Sequence, residues 1–81
     1  MSKTIRIELF AELAETAGQS EFSHFTQAHD VAALYAELQS QFKFRFSQST
    51  LKAARNGEFT TWDHALLDQD QIAFLPPYSG G

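Results

Sequence analysis

An α+β fold, with one main helix packed on a mixed β-sheet, is the fold class that this sequence predicts. Apolar residues alternate along residues 4–10, as in a half-buried strand, and recur at helical spacing along residues 31–42. The predicted helices are too few to alternate with the strands, which argues against a doubly wound parallel sheet. The 81 residues, 43% of them hydrophobic, suit a single domain spanning residues 1–81.

The first part of the chain predicts a strand, a short helix and a second strand. Along residues 4–10 the aliphatic side chains share one face, and Phe10 falls on the opposite, polar face as a candidate exposed aromatic. Apolar residues at helical spacing follow, and Gly18 provides a stop for this short helix. Residues 21–26 form the second strand. The aliphatic face of the first strand consists of Ile5, Ile7 and Leu9.

The main helix is predicted to begin after Asp30, whose side chain suits an N-cap. A charged and aromatic connector at residues 43–46 and a polar loop at residues 47–50 follow it. The apolar stripe of this helix consists of Val31, Leu34, Tyr35, Leu38 and Phe42.

The third part of the chain predicts a hairpin. Asn56 and Gly57 form the dipeptide preferred in two-residue turns with positive φ, so residues 51–55 and 58–61 are expected to pair. Residues 62–67 are expected to add core material.

The last strand is predicted at residues 72–75, after a turn at residues 68–70. Ile72 and Phe74 share one face of this strand, so Leu75 lies on the other. The strand should end before Pro76, because proline has no N–H donor.

Composition excludes several function classes. The chain has no cysteine, and no apolar stretch is long enough to span a bilayer, so we expect a soluble, cytoplasmic protein with no membrane partner. Residues 56–81 carry four acids and no basic residue, which argues against binding nucleic acid. This acidic end fits a basic protein partner, or equally an acidic surface that keeps the protein in solution.

No self-contained catalytic group is evident. His24, His29 and His64 have no metal-ligand spacing, so no metal site is expected, and no glycine-rich phosphate loop is present. We therefore expect the chemistry to lie at the C-terminus, where residues 76–81 are predicted to form an extended tail that reaches roughly 20 Å. The residues of this tail are Pro76, Pro77, Tyr78, Ser79, Gly80 and Gly81.

The Gly81 carboxylate is the candidate reactive group. Two residues without Cβ make a thin end that can thread a narrow channel. An ionised carboxylate is a poor electrophile and needs activation, most simply as an acyl-adenylate made from ATP by another enzyme. The activated carbonyl can then serve protein conjugation, thioester carriage, or formation of a thiocarboxylate that donates sulfur.

Four segments of the chain resemble one known family. They are residues 9–18 (LFAELAETAG), the Asn56-Gly57 turn, residues 67–72 (LDQDQI) and residues 73–81 (AFLPPYSGG). Together they are similar to the small, sulfur-carrying subunit of molybdopterin synthase, the MoaD type of ubiquitin-like protein. The resemblance implies a ubiquitin-like β-grasp with a flexible Gly-Gly tail. The chain departs from this family at two positions. Gln69 stands where glycine is usual. Arg55 stands where an apolar residue is usual, which predicts that the sheet edge at Arg55 is more solvated.

The resemblance also implies a reaction sequence and its partners. An E1-like adenylyltransferase uses ATP to activate Gly81, and a sulfur donor protein then forms the thiocarboxylate. The tail inserts into the large subunit of molybdopterin synthase, which holds the catalytic side chains, and sulfur passes to a cyclic pterin precursor to build the dithiolene. Each carrier supplies one sulfur, in a two-plus-two heterotetramer, and the carrier itself binds no cofactor.

The residues also predict where a partner docks. We expect Phe10, Phe59 and Leu75 to form an exposed apolar patch beside the tail, ringed by the C-terminal acids. Other functions stay open: a thiazole-pathway sulfur carrier, a ubiquitin-like protein modifier, or a plain interaction module. Thiazole-pathway carriers are usually shorter and lack the helix predicted at residues 13–17, which favours the molybdopterin function.

Overall fold

The elements form in the predicted order in the computed structural model of this protein, which describes residues 2–77. The polar loop at 47–50 also contains a short 3₁₀ turn, which the sequence pattern does not indicate. The α+β class is confirmed. The elements are β1 (Lys3–Leu9), α1 (Ala11–Ala17), β2 (Glu21–Thr26), α2 (Val31–Phe42), the 3₁₀ turn Gln48–Thr50, β3 (Lys52–Arg55), β4 (Glu58–Thr60) and β5 (Gln71–Leu75).

The strands join in one sheet with the order β2-β1-β5-β3-β4. The first and last strands, β1 and β5, run parallel at its centre, and the other pairs are antiparallel, so the sheet is mixed as predicted. One face of β1 and β5 is buried, which leaves the opposite face as the open side of the sheet. No helix among the described residues is long and apolar enough to cross a membrane.

The caps that the sequence predicts, at the end of α1 and at the start of α2, are both formed. Gly18 follows α1 with φ of 78°, and its N–H donates to the Ala14 carbonyl at 2.9 Å. The Asp30 side chain accepts a hydrogen bond from the Ala33 N–H at 2.9 Å and so caps α2. Lys43 takes the left-handed conformation after α2, with φ of 63°, where glycine is the usual residue.

Tyr35 is the centre of the aromatic core. Its ring lies 5.3 Å from that of Phe74 and 6.1 Å from that of Phe44, measured between centroids. Its hydroxyl donates to the Phe46 carbonyl at 2.6 Å, and burial raises the pKa of Tyr35 to about 12. Phe44 and Phe46 are themselves buried, so the predicted connector at 43–46 supplies core residues.

Arg55 does not lie at a solvated edge, and that expectation is wrong. Strand β3 lies between β5 and β4, and the Arg55 Nε donates to Asp70 Oδ2 at 2.9 Å. Asp70 is 5% exposed and also accepts hydrogen bonds from the Leu67 N–H at 2.8 Å and from Asn56 Nδ2 at 3.2 Å. A buried carboxylate with these donors needs a cation, which is why the strand carries arginine.

Leu67 departs from the expectation that residues 62–67 add core material. Leu66 is buried and Trp62 packs against the core, as expected. Leu67 is 60% exposed, because its backbone N–H is drawn to the Asp70 carboxylate at the start of the following turn.

Gln69 holds a backbone conformation that suits glycine better. Its φ is 73°, in the left-handed region, while its N–H donates to the Thr4 carbonyl at 2.8 Å. We expect Gln69→Gly to raise the free energy of unfolding by about 1 kcal/mol, because it relieves the Cβ clash. The midpoint temperature of thermal unfolding should then rise by about 4–8 °C. Gln27→Gly is the matched control, since Gln27 is exposed and its φ is not positive; an equal rise there would contradict the explanation.

Candidate functional site

The open face of the sheet carries a shallow depression that contains the three predicted docking residues. Phe10 is 40% exposed and Phe59 73% exposed, and Leu75 is half-buried at the end of β5. The depression is lined by Glu8, Phe10, Ala54, Asn56, Gly57, Phe59, Gln71, Ala73 and Leu75.

Strand register explains why residues so distant in sequence meet here. In the parallel β1–β5 pair Leu9 aligns with Phe74, so the next residues along the two strands are Phe10 and Leu75. Ala54 pairs with Ala73 on one side and with Phe59 on the other. The two alanines project only a methyl group each, so the floor is low between the larger side chains. The result is an exposed apolar concavity, a surface type that commonly marks a partner site.

The hairpin turn forms one rim of this depression and is firmly held. Asn56 and Gly57 have φ of 51° and 91°, as predicted for a two-residue turn. The Asn56 N–H donates to the Gln71 carbonyl, and the Gln71 N–H donates to Asn56 Oδ1, both at 2.8 Å. Asn56 Nδ2 also donates to the buried Asp70, so the rim rests on the core.

The expected ring of C-terminal acids is not found, because none of Glu58, Asp63, Asp68 and Asp70 lines the depression. Asp70 is buried against Arg55, Asp68 accepts a hydrogen bond from the Thr4 N–H at 2.7 Å, and Asp63 accepts one from Thr61 Oγ1 at 2.7 Å. These carboxylates satisfy local donors instead of facing a partner.

Glu8 supplies the one carboxylate among the described residues that line the depression. The docking prediction did not include Glu8. The signal was present in the sequence, since the alternation along residues 4–10 places Glu8 on the same face as Phe10.

The C-terminal segment leaves from the edge of the depression. Strand β5 ends at Leu75, Pro76 is buried and Pro77 is exposed. The predicted tail residues Tyr78, Ser79, Gly80 and Gly81 lie outside the described residues.

The histidines serve local contacts where the structure describes them. His24 Nε2 lies 3.1 Å from Glu37 Oε1, and His64 Nδ1 lies 2.8 Å from the Ala65 carbonyl oxygen. Within residues 2–77 no three acidic or histidine side chains gather as a metal site would require.

Comparison with known proteins identifies the family. Residues 7–81 match the ThiS family, which covers the whole depression and the segment through Gly81. The chain belongs to the ThiS family. It is also 30% identical over 80 residues to the molybdopterin synthase sulfur carrier subunit of Escherichia coli K12, covering 95% of this chain and 99% of that protein. The resemblance found in the sequence is therefore confirmed.

Solved structures show the same fold as this ThiS-family chain. SAMP1 of Haloferax volcanii, a small archaeal modifier protein, is 26% identical with a TM-score of 0.78, over 96% of this chain and 99% of that one. A ubiquitin of Caldiarchaeum subterraneum, 15% identical over both full chains, has a TM-score of 0.66. The fold is the ubiquitin-like β-grasp.

One related structure is a complex. It contains subunits 1 and 2 of the molybdopterin-converting factor of Helicobacter pylori, and one of its chains is 25% identical to this ThiS-family chain with a TM-score of 0.65. The match covers 96% of this chain and 99% of that one.

Proposed function

We propose that this protein is the sulfur carrier of a molybdopterin synthase and that the Gly81 carboxylate carries the sulfur. The observation that supports this most is the 30% identity to the E. coli sulfur carrier subunit over 95% of this chain, together with a family match that reaches Gly81. The helix α1 (Ala11–Ala17), by which the sequence favoured this function over a thiazole-pathway carrier, is formed.

The chemistry follows from the poor electrophilicity of a carboxylate. An E1-like enzyme joins the Gly81 carboxylate to AMP from ATP and releases pyrophosphate. Sulfur from a donor protein, delivered at the oxidation level of sulfide, then attacks the acyl carbon and expels AMP, which leaves a thiocarboxylate. The thiocarboxylate sulfur attacks an oxygen-bearing carbon of the cyclic pterin precursor and displaces that oxygen. Water then cleaves the acyl–sulfur bond, which restores the Gly81 carboxylate and leaves the sulfur on the pterin. A second carrier supplies the second sulfur of the dithiolene.

The depression supports the proposed docking of this protein on the large subunit. The large subunit of molybdopterin synthase docks on Phe10, Phe59 and Leu75, in a two-plus-two assembly, and the H. pylori complex is a precedent for two such subunits together. Because Leu75 borders the depression, residues 76–81 begin at the docked surface and reach roughly 20 Å if extended. Residues 76–80 deliver Gly81 to an active site in the partner.

Intact mass spectrometry tests the proposed sulfur loading. The protein is incubated with its activating enzyme, ATP and a sulfur source, and we expect a gain equal to one oxygen replaced by one sulfur at Gly81. Omission of ATP is the control and should leave the mass unchanged. An unchanged mass in the complete mixture would refute the proposal.

The likeness to SAMP1 favours a second candidate function, that of a protein modifier. The same adenylated Gly81 would then form an amide with a lysine of another protein. Adducts on lysines in cell extracts, with no free thiocarboxylate, would favour the modifier over the sulfur carrier.

A further inference from the structure

Glu8 places a carboxylate inside the apolar depression. It lies on the open face of β1, aligned with Ala73 on β5 and with Glu21 on β2. Its side chain is half-buried and lines the depression together with Phe10 and Phe59. A partner that covers these aromatic side chains therefore removes water from Glu8 as well.

The charges around Glu8 are unbalanced within the described residues. Glu21 lies directly opposite it, and like charges opposite each other across a strand pair are unfavourable. The nearby cation, Arg6, is paired with Glu21 at 3.0 Å. Within residues 2–77 Glu8 forms no ion pair, and Glu8 Oε1 accepts one hydrogen bond, from the neutral Gln71 amide at 3.1 Å.

These observations lead to a statement about the partner, which rests on the proposed function. We propose that the large-subunit surface seated in this depression carries a cationic side chain, flanked by apolar residues, that pairs with Glu8. A desolvated carboxylate without a cation strongly opposes association, whereas a cation there would also offset the Glu8–Glu21 repulsion. The exposed rings of Phe10 and Phe59 favour the same charge through their faces. Glu8 thereby selects the partner by charge, while the aromatic residues supply apolar contact.

Titration calorimetry with the large subunit of molybdopterin synthase from the same genome tests this pairing. We expect Glu8→Gln to weaken binding about tenfold or more, since it keeps the shape and the Gln71 contact but removes the charge. Added salt should weaken wild-type binding more steeply than Glu8→Gln binding. Glu8→Lys should weaken binding more than Glu8→Gln, because it places two cations together.

Two further variants separate the possible explanations. Glu15→Gln removes an exposed charge on α1 outside the depression and should leave the affinity unchanged. Phe59→Ala tests whether the depression is the docking surface at all. If Phe59→Ala weakens binding but Glu8→Gln leaves it unchanged or tighter, the pairing is refuted and the docking surface stands. If neither variant changes the affinity, the docking surface is refuted, and the pairing falls with it.

Discussion

Deletion of Gly81 is expected to abolish sulfur transfer and to leave the midpoint temperature of thermal unfolding within about 2 °C of the wild-type value. The deletion withdraws the terminal carbonyl by about 3.3–3.6 Å, and misplacement of reacting atoms by about 1 Å can cost roughly a hundredfold in rate. The core residues lie between Ile5 and Phe74, so the fold does not depend on Gly81 for buried apolar area.

Two companion variants sharpen this result. A one-residue extension beyond Gly81 should be as inactive as the deletion, because the reactive carboxylate is displaced in the opposite direction. Deletion of Ser79 keeps the Gly80-Gly81 pair but shortens the reach by the same length, so it separates position from residue identity. Pterin sulfuration at the normal rate without Gly81 would show that this carboxylate is not the reactive group.

Asp70→Ala is expected to be the most destabilising single change beneath the rim of the depression. The Asp70 carboxylate accepts hydrogen bonds from Arg55, Asn56 and the Leu67 N–H, and it is buried. Removing one partner of a buried ion pair costs about 3–5 kcal/mol, and the partial exposure of the Arg55 side chain favours the lower end of this range. The midpoint temperature of thermal unfolding should therefore fall by about 10 °C or more.

The pH dependence of unfolding distinguishes the Asp70 charge from simple packing. Burial raises the pKa of Asp70, but the hydrogen bonds from Arg55, Leu67 and Asn56, with the charge of Arg55, outweigh this and lower it. A lowered pKa stabilises the fold above the unfolded value of about 3.9 and loses that stabilisation as the pH falls through the folded value. The stability difference between wild type and Asp70→Asn should accordingly shrink below about pH 4.

Asp63→Ala is the control for this prediction. The Asp63 carboxylate is exposed and accepts a hydrogen bond from the nearby Thr61 hydroxyl. The free energy of unfolding should therefore change by about 0.5 kcal/mol or less. An Asp70→Ala protein as stable as Asp63→Ala would contradict the role assigned to the buried pair.

Local signals in the sequence were sufficient for the elements and for part of the site. Alternation along β1, the Asp30 cap, the stripe of α2 and the Asn56-Gly57 turn each act over a few residues, and the structure follows them. The same alternation placed Phe10 on the open face, and the C-terminal prolines placed the end of β5. The family resemblance rests on short local segments of the same kind, so the sequence alone was enough to carry it.

Which distant residues meet was decided by the assembled sheet. The parallel pairing of β1 with β5 aligns Glu8 with Ala73, and no local pattern specifies a register between strands so far apart in the chain. That pairing, with β3 beside β5, makes Asp70 a buried partner of Arg55 instead of a surface acid. The elements and the candidate residues therefore follow from the sequence. Tertiary packing decided which carboxylates are buried in ion pairs and which one lines the depression, because burial and ion pairing depend on neighbours that only the folded sheet brings together.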